Sequence, residues 1–392
     1  LAYSFTLDDV AFLRSEAGEA ALATCAELPL TERTRIADVA TARRVVGDHY
    51  AAALETVLLR RKAVTKVDGS AGWLFTGDSL QQASASVVAR HRAERLAGRE
   101  VHDVTCSIGA DLVELAKTAS ACTGSDLDEV RLAMARHNCA QAGVDADLLQ
   151  ADALRPRDGN AVVVADPARR DSSGRRTWKP ADFAPPLDEL AAAYTGRDLV
   201  VKCAPGLPPE SVPWADEIEL VSLDGQVREA CLWAGEQATV KRRATVLRSD
   251  GTQWTVTDAE PDEVPVAPVG EWIVDPDGAV VRAGLVRHYG ARHGLWQLDE
   301  RIAYLTGDRP PPGVRAFRVI EHGPYQEKSL RAMLRRHEIG RLEILIRGLD
   351  VDPDALRRRM KLGGTQEASV VLTRIGRAPF AFLCRAEVIE PA

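Results

Sequence analysis

Over the first 95 residues, apolar positions recur with helical spacing. Val10, Leu13 and Ala17 fall on one face. Thr6 followed by Asp9 reads as a capping box that opens this helix. Residues 33–61 continue as an Ala/Val/Leu/Arg-rich helical stretch, a glycine-containing break covers 68–77, and 78–96 is helical again. From Arg99 the period changes. Short apolar runs at 100–105, 119–125, 146–150, 161–165 and 199–204 alternate with amphipathic stretches at 112–117, 129–142 and 187–193. Strands separated by helices predict a mostly parallel sheet covered on both faces. Two further strands, 217–223 and 227–233, are joined by Asp224-Gly225, a strong hairpin signal. The sheet is therefore expected to end in an antiparallel hairpin.

The pattern is weaker over 236–312, which holds strand-like pieces at 244–248 and 253–257 and a proline-rich link at 261–268. It ends at Pro310-Pro311-Pro312-Gly313, a domain-boundary signal. Beyond lies a compact series: strand 316–321, helix 326–336, strand 342–347, helix 353–361, and strands 368–374 and 378–386. This order predicts a small ferredoxin-like α+β unit. The expected division is a helical region at 1–97, a Rossmann-like α/β domain at 98–235, a connecting region with strands at 236–312, and the α+β domain at 313–392.

Composition adds exclusions. With 45% apolar residues in 392, the chain is not disordered as a whole. No apolar run approaches the ~20 residues needed to span a bilayer, and the N-terminus lacks a signal-peptide layout. Seven dispersed cysteines without a Cys-x-x-Cys pair fit neither a disulfide framework nor a zinc site. The expectation is a cytoplasmic protein with no membrane or metal partner. The net charge of −7 argues against a uniformly basic nucleic-acid binder. That figure conceals an asymmetry, because residues 315–390 hold 15 Lys/Arg against 10 Asp/Glu, and the rest of the chain 35 against 47. Arg335, Arg336, Arg357, Arg358 and Lys361 are the candidate RNA-phosphate contacts on the two C-terminal helices.

Four acids mark the strand ends of the α/β region. Asp103, Asp126, Asp152 and Asp166 each end a strand candidate or follow it closely. Ligands of open α/β sheets bind beyond the carboxyl ends of the strands, so this row points to a nucleotide-like ligand. Thr105-Cys106-Ser107-Ile108-Gly109 is a tight loop of mostly small residues that lets the backbone approach a ligand. Asp126, 23 residues after Asp103, suits the two hydroxyls of a ribose. Asp152 suits an adenine amino group, with Ala153 offering a backbone N–H, and Asp166 sits where a reacting group would lie. Lys202, near the end of the fifth strand, is either a surface lysine or a cleft residue.

These motifs resemble the class I S-adenosylmethionine-dependent methyltransferases. The likeness extends to a bacterial group with an N-terminal helical region and a C-terminal THUMP-like domain. It is carried by Leu80-Gln-Gln-Ala-Ser-Ala-Ser86, Asp103-Val-Thr-Cys-Ser-Ile-Gly-Ala-Asp111, Asp166-Pro-Ala-Arg169, Trp272-Ile-Val-Asp-Pro-Asp-Gly278 and Lys361-Leu-Gly-Gly-Thr365. The resemblance implies S-adenosylmethionine as cofactor. Gln82, Asp103, the 105–109 loop and Asp111 would meet its methionine end, Asp126 and Leu127 its ribose, and Asp152 and Ala153 its adenine. Asp166 and Pro167 would face the methyl acceptor. Amino-group methyltransferases usually carry Asn/Asp-Pro-Pro-aromatic here, whereas this chain has Ala168 and Arg169 in the last two places. Trp178 is the candidate replacement for the stacking aromatic, and Arg169 the alternative stacker or phosphate contact. THUMP-type domains imply RNA binding. The expected activity is therefore methyl transfer to an RNA base in tRNA or rRNA. The alternatives are a small-molecule or protein acceptor, or a non-catalytic RNA-binding protein on a degenerate methyltransferase fold.

Overall fold

The computed structural model describes residues 3–168 and 179–390. Arg169 and Trp178 lie outside the described residues. The chain forms two compact units. One runs up to Leu223 and adds Arg228–Thr239 and Leu247–Thr252; the other holds Asp224–Val227, Val240–Val246 and the chain from Gln253 onward.

The first unit begins with helices α1 (Leu7–Leu13), α2 (Glu16–Ala26), α3 (Arg35–Val46), α4 (Tyr50–Ala63), α5 (Gly77–Gln82) and α6 (Ser86–Arg95). The Thr6–Asp9 capping box forms in both directions. Strands and helices then alternate: β1 (Glu100–Asp103), α7 (Ala110–Thr118), β2 (Ala121–Asp126), α8 (Glu129–Ala142), β3 (Asp147–Gln150), β4 (Val162–Ala165), α9 (Leu187–Ala193) and β5 (Leu199–Cys203). β6 (Glu217–Leu223) and β7 (Gln226–Ala234) complete the unit's sheet, ordered β3-β2-β1-β4-β5-β7-β6. Neighbours from β3 to β5 run parallel, and β7 pairs antiparallel with β5. Asp224 and Gly225 both take positive φ, 51° and 77°, the geometry of a type I′ turn.

Strand order reverses between β1 and β4, so a crevice opens at their carboxyl ends. One core joins the helical layer to the sheet's flank: Leu13, Leu54, Val57 and Phe75 pack in one cluster with Ile108, Leu112 and Met134. Asn138, fully buried on α8, ties these parts together. Its amide donates to the carbonyls of Leu74 and Ile108, both at 2.9 Å, and its oxygen accepts from Leu74 N–H at 2.8 Å.

The second unit contains β8 (Arg242–Leu247, its last residue counted with the first unit), β9 (Gln253–Thr257), β10 (Trp272–Val274), α10 (Gly278–Arg282), α11 (Val286–His293), β11 (Trp296–Gln297) and β12 (Leu305–Gly307). There follow β13 (Arg315–Pro324), α12 (Glu327–Arg336), β14 (Ile339–Ile346), α13 (Pro353–Met360), β15 (Gln366–Ile375) and β16 (Ala378–Val388), the expected βαβαββ order. They belong to a sheet ordered β11-β12-β10-β13-β16-β15-β14. Period-two alternation sets its faces. Val370 and Leu372 meet Leu330, Leu334, Leu356 and Met360 of α12 and α13, while Val371 faces Ile273, Tyr304 and Phe317 on the other side. Among the described residues no helix is long and apolar enough to cross a membrane.

Candidate active site

The carboxyl ends of β1 to β4 open into a cleft of about 550 Å³, within the size range of small-ligand sites. Gln82, Asp103, Thr105, Cys106, Ser107, Ile108, Asp111, Asp126, Leu127, Asp152, Ala153 and Asp166 all line it. Gly109 and Pro167 are not among its lining residues. Gly109, at φ 84°, caps α7 and turns the loop into the helix. Pro167, next to Asp166, is buried. A larger hollow of about 830 Å³ lies at the opposite ends of β1, β4 and β5. There Arg99 pairs with Asp198 and Glu236, and the one strand whose carboxyl end reaches it is the antiparallel β7.

The first loop is held by its own side chains. Asp103 accepts from Thr105 N–H at 3.1 Å, and the Thr105 hydroxyl accepts from Asp166 N–H at 2.6 Å. Asp126 accepts from Ser107 N–H at 3.0 Å through one oxygen and from Asp128 N–H at 2.9 Å through the other. A loop residue and two strand ends are thus locked into one rim. Asp152 accepts from Leu154 N–H at 2.9 Å, and the Ala153 carbonyl accepts from the Tyr194 hydroxyl at 2.9 Å. Burial, reinforced by the nearby carboxylates of Asp111, Asp166 and Asp126, pushes Asp103 up to about 8. Cys106 is buried, and burial raises its thiol well above the ordinary value, which makes it a poor nucleophile.

A chain of charges lies below the acceptor end. Lys202 donates to Asp166 at 2.5 Å and to the Gln82 carbonyl at 3.1 Å, and stands 3.7 Å from Asp111. Asp111 is 3.3 Å from Arg92, which also pairs with Glu229, and Ser84 donates to both Asp111 and Glu229. Burial opposes the charge on Lys202, but Asp166, Asp111 and Glu229 outweigh it and raise its pKa. Burial likewise opposes ionisation of Asp111, but Lys202 and Arg92 hold its pKa below the usual carboxylate range. Lys202, which the sequence leaves between surface and cleft, is largely buried and reaches the cleft lining through Asp166, while Arg92 and Glu229 carry no local signal in the sequence. The wall made by Phe183, Ala184, Pro185 and Pro186 carries none either. That wall is fastened to the Asp166 turn by reciprocal backbone hydrogen bonds between Ala168 and Ala184.

Proteins from two strains of Mycobacterium tuberculosis, each named an uncharacterized S-adenosylmethionine-dependent methyltransferase, are 54% identical over 354 residues. The match covers 86% of this chain and 98% of theirs. The chain belongs to the S-adenosylmethionine-dependent methyltransferases. A crystal structure from Porphyromonas gingivalis, provisionally titled a methyltransferase, has the same fold with a TM-score of 0.74 at 20% identity, over 98% of this chain and 99% of that one. Residues 314–386 of this methyltransferase match the family described as THUMP domain-like, and residues 6–63 match a family described as a domain of unknown function. The enzyme is thus an α/β methyltransferase with a helical N-terminal region and a THUMP-like C-terminal domain. It uses S-adenosylmethionine.

Proposed function

We propose that this methyltransferase binds its cofactor in the 550 Å³ cleft and modifies RNA. The donor set suits the cofactor. Six acidic side chains line the cleft, from Asp103, Asp111, Asp126, Asp128, Asp152 and Asp166, and apart from Asp103, whose burial favours the protonated form, they supply negative charge to a ligand that carries a sulfonium and an ammonium. Asp126 spends two of its roughly four lone-pair sites on backbone amides. The remaining two serve the ribose hydroxyls, with Leu127 beside them. Asp152 and Ala153 take the adenine edge. The methionine end belongs with Gln82, Asp103, Asp111 and the 105–109 loop. When bound, S-adenosylmethionine supplies an electrophilic methyl group. The chain orients it, and the Phe183–Pro186 wall and Pro167 turn shield it from water.

The observation that carries the RNA reading is the helix pair of the THUMP-like domain. α12 and α13 lie on the same face of their sheet, and both end in arginines. Arg335, Arg358 and Lys361 are exposed and form no ion pair among the described residues. Arg336 and Arg357 already pair with Glu321 and Asp354. The first three are therefore the stronger phosphate contacts, and the other two would exchange a carboxylate for a phosphate. The test is RNA binding by the full chain across a salt series. Affinity should fall with salt, and charge reversal at Arg335, Arg358 and Lys361 should flatten the log–log slope by about 1 per lost contact. Binding that ignores salt, or an unchanged slope in the reversed protein, would count against RNA.

A further inference from the structure

On β13 and β16, Arg318 stands directly opposite Arg385. Opposed residues of an antiparallel pair share one face of the sheet, and like charges there repel. Neighbouring arginines of this domain each have a carboxylate: Arg315 pairs with Glu343, Arg336 with Glu321 and Arg341 with Glu367. Arg318 and Arg385 are exposed, and their side chains form no ion pair or hydrogen bond among the described residues. Both line a pocket of about 300 Å³ together with Ile320, His337 and Ile339. We infer that this pocket binds a terminal phosphate of the RNA, a phosphomonoester, and that Arg318 and Arg385 grip it. That the ligand is RNA rests on the reading above; that the pocket takes an end rests on its own charge and shape.

The strands that wall the pocket are interrupted there. In β13 the register slips at Ile320, which has no partner on β16, and in β14 it slips at Gly340, which has none on β15. Such bulges bend a strand and re-aim its side chains, and they recur beside binding sites. The Lys361-Leu-Gly-Gly-Thr365 strip leads into a third wall, at Gln366. A Cβ on Gly340 would collide with the backbone of Gly364, and one on Gly364 with that of Glu338. Glycine at both places lets the exit of α13 lie backbone to backbone against the end of α12. The Gln366 N–H then donates to the Glu338 carbonyl at 2.9 Å, which ties this wall to His337 and Ile339. Arg318 lies over the Trp272 ring, 5.9 Å from its centre, a contact that steadies a guanidinium without neutralising it.

Charge selects the ligand. Glu367 is the acid among the lining residues, and Arg341 pairs with it at 2.6 Å. Two guanidiniums are left without a counter-charge. An internal phosphodiester brings a single negative charge and has chain on both sides. A terminal phosphomonoester brings about −1.5 to −2 near pH 7 with three acceptor oxygens, and its chain leaves on one side only, as a concave pocket requires. Guanidiniums meet phosphate oxygens bidentately, so two of them match one monoester in charge and in donors. Arg335, Arg358 and Lys361, at the helix ends, are left for the diesters of the backbone.

The experiment measures binding of the full-length protein to one internally labelled hairpin RNA by fluorescence anisotropy, with three kinds of end: 5′-phosphate, 3′-phosphate, and hydroxyl at both. A phosphorylated form should bind at least about 10-fold more tightly than the hydroxyl form, as one added charge-assisted contact provides, and the form that gains identifies the end. Arg318→Gln and Arg385→Gln should each erase the gain and leave the affinity for the hydroxyl form nearly unchanged. Charge reversal at Arg335, Arg358 and Lys361 should weaken all three forms together and preserve their ratio. Equal affinity for the three forms would overturn the terminal-phosphate assignment and leave the RNA reading standing. No binding of any form would overturn both. Adenosine monophosphate that displaces the phosphorylated RNA at matching concentration would assign the pocket to a free nucleotide and overturn the RNA end. Removing one of two opposed like charges should leave the melting temperature unchanged or slightly raised. A clear drop in either variant would make that arginine a structural residue and overturn its role as a grip.

Discussion

In the first unit, Arg92 is 3% exposed and lies between Asp111 and Glu229. In the second, Arg359 grips Glu327 through three hydrogen bonds, yet the two side chains are 47% and 41% exposed. The better hydrogen-bond count belongs to the pair that matters less to the fold. Water already solvates Arg359 and Glu327, so their pairing gains little and can be exchanged for a ligand. Arg92 has no such alternative. Its charge is tolerable only because two carboxylates hold it, and they in turn need Arg92. The buried set is a fixed framework that presents Lys202 and Asp166, whereas the exposed set is a surface with replaceable counterions.

This contrast should be visible in measurement. Arg92→Met leaves Glu229 without its ion pair and Asp111 with Lys202 alone, and should cost about 3–5 kcal/mol in denaturant unfolding. A cost under about 1 kcal/mol would show that Asp111 and Glu229 simply take up protons, and the framework argument would fail. Asp126→Ala removes a charged acceptor at the cleft rim. With about 1.5–3 kcal/mol for each hydrogen bond to a charged group, cofactor affinity by calorimetry should fall at least about 100-fold. Undiminished affinity would exclude Asp126 as the ribose ligand.

Asp103 sharpens the comparison through pH. Its folded-state value of about 8 lies above the ordinary 3.8. Between those values the folded chain holds one proton more than the unfolded chain. Stability is therefore lost as pH rises through that window, by up to ~1.4 kcal/mol per pH unit. Asp103→Asn should remove this slope and melt higher than wild type at pH 8. Matching pH–stability curves for the two proteins would disprove the assignment. The smallest effect is expected at the surface pair. Glu327→Gln should leave the melting temperature unchanged and, by releasing Arg359, raise RNA affinity slightly at low salt. A clear drop in melting temperature would mean the exposed pair resembles the buried one after all.

The same distinction explains what the sequence disclosed. The Thr6–Asp9 box, the Asp224-Gly225 turn and the βαβαββ order are local signals, carried by a few neighbouring residues or by periodicity. The acids at the strand ends were legible because strand ends are legible, and the fold then gathers them. Arg92 and Glu229 gave no sign, because 137 residues separate them and only the packing of α6 against β7 makes them partners. Asn138 was equally silent, since a lone asparagine in a helix has no local pattern that announces 64-residue hydrogen bonds. Phe183 to Pro186 carry no local motif, and only the backbone pairing of Ala184 with Ala168 makes them a wall.

Asn138 also bears on the order in which the chain can mature during synthesis. Leu74 needs the Asn138 amide, and the core around Leu13 and Leu54 needs Leu112 and Met134. The first helices leave the ribosome well before these partners exist. At ~5–20 residues per second, some 65 residues of further translation separate Leu74 from its clamp, a delay of several seconds. Until then the N-terminal helices expose apolar faces with nothing of their own chain to cover them. Chaperone occupancy on the nascent protein should accordingly peak before α8 emerges and fall once it has.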